Sequence, residues 1–405
     1  MNNKKIFYVF IWHGLFLALT MSMLDLNTVF PSLIDEMTHS KVIFGFLYAI
    51  MLGVPLIFNV VFSHYLKKFR KKKKILLFGI YLRSFSFLGM AFFTTYFAID
   101  RPLLTTGSFF LWIFLFSISA GFAGISYADI VAKTMTPKER NKLYAAKQFV
   151  GSIAALFGGF LIKKIFSLPS IMYPTQYSIS LFIGAIGLFV ASLAVITIDE
   201  PDSVVNEQER GKLIDYLKSI PEIIKEDHVF KKFIIAENLA SFSIMVLPFY
   251  IIFAKEVFDL GPSFIGIYLL FQISGTILSN IFWGIIATKY NAKSVIKVCI
   301  ILGGLLPILA IALSFTTPYM YSMVFVLLGF IISGRRIGFE PYLLDIAPED
   351  QRTEYLGING TMNILIVILP ILGGFFIDFI GFYFTFSLVS VFMAIAFVVL
   401  KNDNN

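Results

Sequence analysis

The chain has 405 residues, of which 58% are hydrophobic, 17% aromatic and only 14% charged, with 47 Phe and a formal charge of +8. A single water-soluble core cannot hide that much apolar surface, so a soluble globular enzyme is excluded and a lipid-embedded chain is implied. The basic residues fall in short loops between apolar runs, where they orient membrane helices, so the charge does not point to nucleic acid.

The first apolar run, Ile6 to Phe30, follows Lys4 and Lys5. It is too long, and too polar near its end at Asp25 and Asn27, for a cleaved leader, and is expected to be the first spanning helix. Further spans are expected at Val42 to Leu66, Ile75 to Phe97, Ser108 to Ala132, Leu143 to Ile162 and Ser178 to Ile198. Each approaches the ~20 residues that a bilayer requires at ~1.5 Å per residue. Asp199 to Lys232 breaks the pattern with 9 acids and 6 bases, and Leu213, Leu217, Ile220 and Ile224 predict an amphipathic helix over Glu207 to Glu226. Six more runs follow, at Phe233 to Ala254, Ser263 to Thr288, Val295 to Phe315, Tyr319 to Leu344, Tyr355 to Ile377 and Phe382 to Leu400. The expected fold is all-α and membrane-integral: a bundle of six helices over 1–198, a linker over 199–232 and a second bundle over 233–405.

With the N-terminus inside, the inner segments hold 24 Lys and Arg and the outer loops 5. The positive-inside rule therefore places both termini and the linker in the cytoplasm of a cell carrying the protein in its inner or plasma membrane. The block KKFRKKKK is an orienting loop that anionic lipid headgroups attract. The single Cys299, in an apolar run, rules out an internal disulfide and any zinc or haem spacing.

A polar elbow occurs twice, at Asp129 to Tyr144 and at Glu340 to Tyr355. In each, an acid is followed 8 positions later by Pro (Pro137, Pro348) and 15 positions later by Tyr, with Arg140 or Arg352 between. The apolar run after each elbow carries a Gly pair, at Gly158 and Gly373. One ancestral half used twice is the reading that follows, an organisation common among secondary transporters.

Over its whole length the chain resembles the major facilitator superfamily, in its two six-helix halves, charged linker and parallel half-repeats. The family's loop signature after spans 2 and 8 stands here as SHYLKKFRKK and GIIATKYNAK, with Gly45 and Asn59 recurring as Gly266 and Asn280, but Lys67 and Thr288 replace its Asp. The Arg of span 4 and the Gly-Pro of span 5 that mark the family's drug–proton antiporters are absent, so no subfamily follows. The resemblance implies alternating access by rocking of the two halves around a midplane site.

Acids near the inner ends of spans 4 and 10 face the negative end of a helix dipole and require a cation. Lys133 is expected to pair with Asp129 and Arg336 with Glu340, with Arg140 and Arg352 within reach; these residues form structural clamps or a cytoplasmic gate. Ionisable residues at membrane depth mark function by default. Lys147 and Glu237 are shallow enough to snorkel, Lys147 joining the gate set, whereas Arg83 and Arg335 lie deeper. Asp25, with Asn27 beside it and no counter-ion within one turn, is the first expectation for a proton-coupling site. Gln148, Asn238, Gln272, Asn359 and Asn363 complete a polar cavity or serve as interhelical glue, and His13 is a packed residue or a proton relay. The expected function is a monomeric secondary active transporter of a small organic solute, leaning toward an anionic one because of Arg83 and Arg335, with a proton as coupling ion. A transporter-derived receptor that binds without cycling is the alternative. No cofactor or metal site is expected, and no P-loop, HExxH or GxSxG signature indicates ATP drive or catalysis.

Overall fold

The computed structural model describes residues 3–66, 69–201, 220, 223–348, 355, 358–360, 362, 363 and 365–401. Among them the secondary structure is helical throughout. Twelve segments are long and apolar enough to cross a membrane. The helices are α1 (Asn3–Met23), α2 (Val29–Thr38), α3 (Lys41–Leu66), α4 (Lys73–Phe97), α5 (Pro102–Thr134), α6 (Pro137–Phe166) and α7 (Thr175–Ile196) in the first half. They continue as α8 (His228–Ala240), α9 (Tyr250–Phe258), α10 (Ser263–Lys289), α11 (Ala292–Leu313), α12 (Pro318–Ile346), α13 (Leu365–Ile380) and α14 (Phe382–Lys401).

The chain divides into two compact units, one of Met1–Val205 with Gly261–Leu270 and one of Asn206–Leu260 with Phe271–Asn405. In the first, α4 packs on α5 and α7, α1 on α6 and α7, and α3 on α5. In the second, α11 packs on α12 and α14, and α14 also on α8. Packing hides only part of the apolar surface. Along α4, Phe78, Tyr81, Phe85, Leu88, Phe92 and Tyr96 are exposed at helical spacing while Ile80, Ser84, Phe87 and Ala91 on the other side are buried. A stripe of that kind suits hydrocarbon and not water.

Local signals set the helix ends. Thr136 and Glu139 form a reciprocal capping box at the start of α6, with Pro137 at the first helical position. Asp227 caps α8, Asn291 α11 and Thr317 α12 through side-chain oxygens. Of the predicted linker helix, Ile223 to Glu226 is helical and the rest, apart from Ile220, lies outside the described residues.

Two expected spans are interrupted. The first does not run to Phe30: α1 stops at Met23, and α2 starts only at Val29. The seventh is not one helix over Phe233 to Ala254 either. It passes from α8 through 3-10 turns at Ser241–Met245 and Leu247–Phe249, the second holding Pro248, into α9. Residues 241 and 243–254 are all buried, the setting in which non-α backbone is tolerated at membrane depth. Each interruption meets one of the twin glycines. A Cβ on Gly158 would lie 2.7 Å from Ser22 Cβ, just before the first break, and one on Gly373 only 2.1 Å from the Met245 carbonyl oxygen inside the second. The first glycine of each repeated pair thus gives room for the interrupted first span of its half.

Candidate functional site

Three clusters of polar side chains stand out. The first joins α4, α5 and the residue Glu200 that follows α7. The Glu200 carboxylate accepts the backbone N–H groups of Lys72 (2.8 Å) and Lys73 (2.6 Å), the first amides of α4, and the Lys133 ammonium at 2.9 Å. An anion at a helix N-terminus meets unpaired donors and the positive end of the dipole. Lys133 also contacts Asp129 at 2.5 Å, and Lys72 closes the ring to Asp129 at 2.6 Å. The expected Asp129–Lys133 pair is therefore present within a larger network. Arg140 takes no part in it, and its Nε lacks a hydrogen-bond partner. Spacing along the sequence does not reveal Glu200 and Lys72, because their partners stand far away in the chain; the only signal is an acid at the end of span 6 opposite a basic block.

The second elbow departs from expectation. Arg336 and Glu340 are both exposed and form no ion pair among the described residues, and Arg352 lies outside those residues. Its Tyr355 is instead buried and donates to Asp227 Oδ2 at 2.7 Å, with its ring 4.3 Å from that of Phe230. Tyr144, the twin, is 49% exposed.

At depth in the second unit, α8 carries Glu237, 7% exposed, with the side chains of Asn359 and Asn363 nearby and Arg335 in electrostatic range. Glu237 Oε2, Asn359 Oδ1 and Asn363 Oδ1 are buried without hydrogen-bond partners. Glu237 does not snorkel. Arg335 crosses from α12 to the break after α8, donating to the Ala240 carbonyl and to Ser241 Oγ, each at 3.0 Å, and lies 5.0 Å from the Phe339 ring centre. The Ala240 carbonyl also accepts from Ser243, and that of Glu237 from Ser241, so the interruption leaves these acceptors satisfied. Asn238 donates to the Ile234 carbonyl, and Gln272, 5% exposed, accepts Thr276 on its backbone oxygen. Asn280 accepts from Ser333 at 2.6 Å, which makes it the interhelical glue its repeat suggests.

In the first unit Arg83 donates to Ser119 at 3.3 Å and lies 5.5 Å from the Phe116 ring centre. Asp25, expected inside a helix, is not in one. It sits in the turn between α1 and α2, where Oδ1 accepts the Asn27 N–H (3.0 Å) and the Thr28 hydroxyl (2.9 Å). Asn27 is buried with Oδ1 unpartnered, and Gln148 is exposed. Lys147 does not snorkel: it is ten residues into α6 and donates to Tyr127 Oη at 2.7 Å.

A sequence model described as Major Facilitator Superfamily matches residues 12–334 and 233–404. No curated protein matches the sequence. Among solved structures, a mutant of the nucleoside transporter NupG aligns with a TM-score of 0.76 at 12% identity, covering 98% of this chain and 100% of its own. A bacterial homologue of the iron transporter ferroportin aligns at 0.72 and 13% identity, covering 99% of each. The xylose transporter XylE from E. coli aligns at 0.68 and 16% identity, covering 100% of this chain and 96% of its own. At these identities the likeness concerns the fold.

Proposed function

The chain belongs to the major facilitator superfamily, and on that premise we propose that this multi-pass membrane protein moves a small organic solute, coupled to a proton carried by Glu237. One observation carries the coupling role: a carboxylate 7% exposed, beside an interrupted helix, with Asn359, Asn363 and Arg335 nearby and Oε2 unpartnered. Such a group is costly to keep charged away from water unless something compensates it, which is the condition for exchanging a proton against a change of surroundings. Asp25, to which the sequence gives that role, stands in a turn, where its carboxylate accepts the Asn27 N–H and the Thr28 hydroxyl. The two arginines that suggest an anionic solute are engaged by Ser119, Ala240 and Ser241. They act as fasteners between helices.

The network of Lys72, Asp129, Lys133 and Glu200 supports a gate element at the inner mouth, since it supplies acids where the family's loop Asp is replaced by Lys67. In this reading the protein works as a monomer in the cell membrane with both termini in the cytoplasm, and it is a transporter and not an enzyme.

The test is reconstitution in proteoliposomes, screening counterflow of nucleosides, xylose and small organic carboxylates. For whichever solute exchanges, Glu237→Gln is expected to abolish uptake driven by a pH gradient and to leave counterflow. Unchanged pH-driven uptake refutes the coupling role. Absence of counterflow for every solute favours the non-cycling receptor, the reading that the lost loop Asp motivates.

A further inference from the structure

The first unit holds a half-buried cation that the proposed mechanism does not use. Lys147 stands about 15 Å along α6 from its start, half-buried, and no carboxylate pairs with it among the described residues. Its aliphatic stem crosses Gly14 of α1, where a Cβ would come within 2.9 Å of Lys147 Cε and 3.1 Å of Cγ. That missing side chain lets the ammonium reach Tyr127 of α5, donating to Oη at 2.7 Å and lying 4.2 Å from the ring centre. The tyrosine ring is held by Phe10, whose centre is 4.8 Å away at 72°, and by His13, stacked at 6.0 Å and 28°. His13 is 6% exposed and its Nδ1 has no hydrogen-bond partner.

Donors outnumber acceptors here. An ammonium carries three N–H donors, of which Tyr127 takes one. The tyrosine oxygen accepts that bond, so its own proton remains to be given, and a neutral imidazole adds a further N–H. Three helices thus bring up to four donors and a positive charge together, with aromatic rings beneath them and no anion beside them among the described residues. An uncompensated buried cation is unfavourable, and this one is not removed by snorkelling because its stem is spent on Gly14. What completes the cluster is an acceptor with negative charge and several lone pairs, the description of a carboxylate.

We propose that Lys147, Tyr127 and His13 form an anion-recognition site for the carboxylate of a small organic solute. The inference deepens the transporter reading and rests on it for the solute's passage, while the binding itself is measured without transport. The experiment uses the full chain purified in detergent and follows its melting temperature with acetate, lactate, succinate and benzoate, each beside its own primary amide. At least one carboxylate is expected to raise the melting temperature and its amide not to. Lys147→Gln is expected to weaken that carboxylate at least about tenfold, as loss of a charge-assisted hydrogen bond requires. Lys147→Arg should keep most of the binding, and Tyr127→Phe should lose part of it. Equal protection by the amide, protection by inorganic phosphate alone, unaltered affinity in Lys147→Gln, or no protection by any of the four acids each overturns the proposal. The comparison of acid with amide needs only the wild-type chain, so a variant that fails to fold does not decide the matter. Failure of all counterflow would sink the transporter reading and leave this binding result standing.

Discussion

The two elbows share their spacing of acid, proline and tyrosine, yet they are held by different forces. In the first, Asp129 belongs to a ring of four charges closed by Lys72, Lys133 and Glu200. In the second, Glu340 is exposed beside an exposed Arg336, and the elbow is fastened by Tyr355 on Asp227. The two elbows match in spacing, and their partners differ. Glu200 stands only after span 6, where the chain leaves the first half, and its side chain is 1% exposed. Asp227 stands only before span 7, where it also caps α8 through Oδ1. Each elbow is thus tied to the end of the linker nearest to it in the chain.

The contrast between the elbows is broken most forcefully by Glu200→Ala. That change strips the α4 amides and Lys133 of one buried anion and is expected to cost about 3 kcal/mol, read as a lower melting temperature in detergent; an unchanged melt would remove the network's structural weight. Next comes the paired test of the twin acids. Asp129→Asn should cost about 2 kcal/mol, because Glu200 still balances Lys133 while the Lys72 ammonium loses its anion, whereas Glu340→Gln should stay within about 0.5 kcal/mol. Equal losses would mean that the halves are fastened alike. Tyr355→Phe should cost about 1 kcal/mol for its hydrogen bond, and Tyr144→Phe nothing measurable in the same melt. The smallest effect is expected from Asp25→Asn, which keeps an acceptor for Asn27 and Thr28 and should leave pH-driven uptake as it was, in contrast to Glu237→Gln.

Much of the fold is legible in the sequence because the bilayer imposes a length and a polarity on every span. That is why the runs at Ile75 to Phe97 and Phe382 to Leu400 nearly coincide with α4 and α14. The breaks are not legible by the same means, since hydropathy averages over them. Asp25, Asn27 and Thr28 are turn and cap formers whose meaning is hidden by Val29 and Phe30 continuing the apolar run. Pro248 marks the other break, but a proline inside a span is common enough to pass. For the sites, the side chains at depth are identified from their cost alone, and Glu237, Arg335, Asn359 and Asn363 do come together. Their partners cannot be read, because a contact such as Arg335 to Ala240 joins helices 95 residues apart. Lys147 misleads for a related reason: a stem long enough to reach the surface is equally long enough to cross a neighbouring glycine.

The 3-10 turns of the seventh span comprise five and three residues. Each residue wound that way advances about 2.0 Å instead of 1.5 Å, so the stretch is about 4 Å longer than the same residues would be as α-helix. The Arg335 bonds to Ala240 and Ser241 tie the upstream end of this longer stretch to α12.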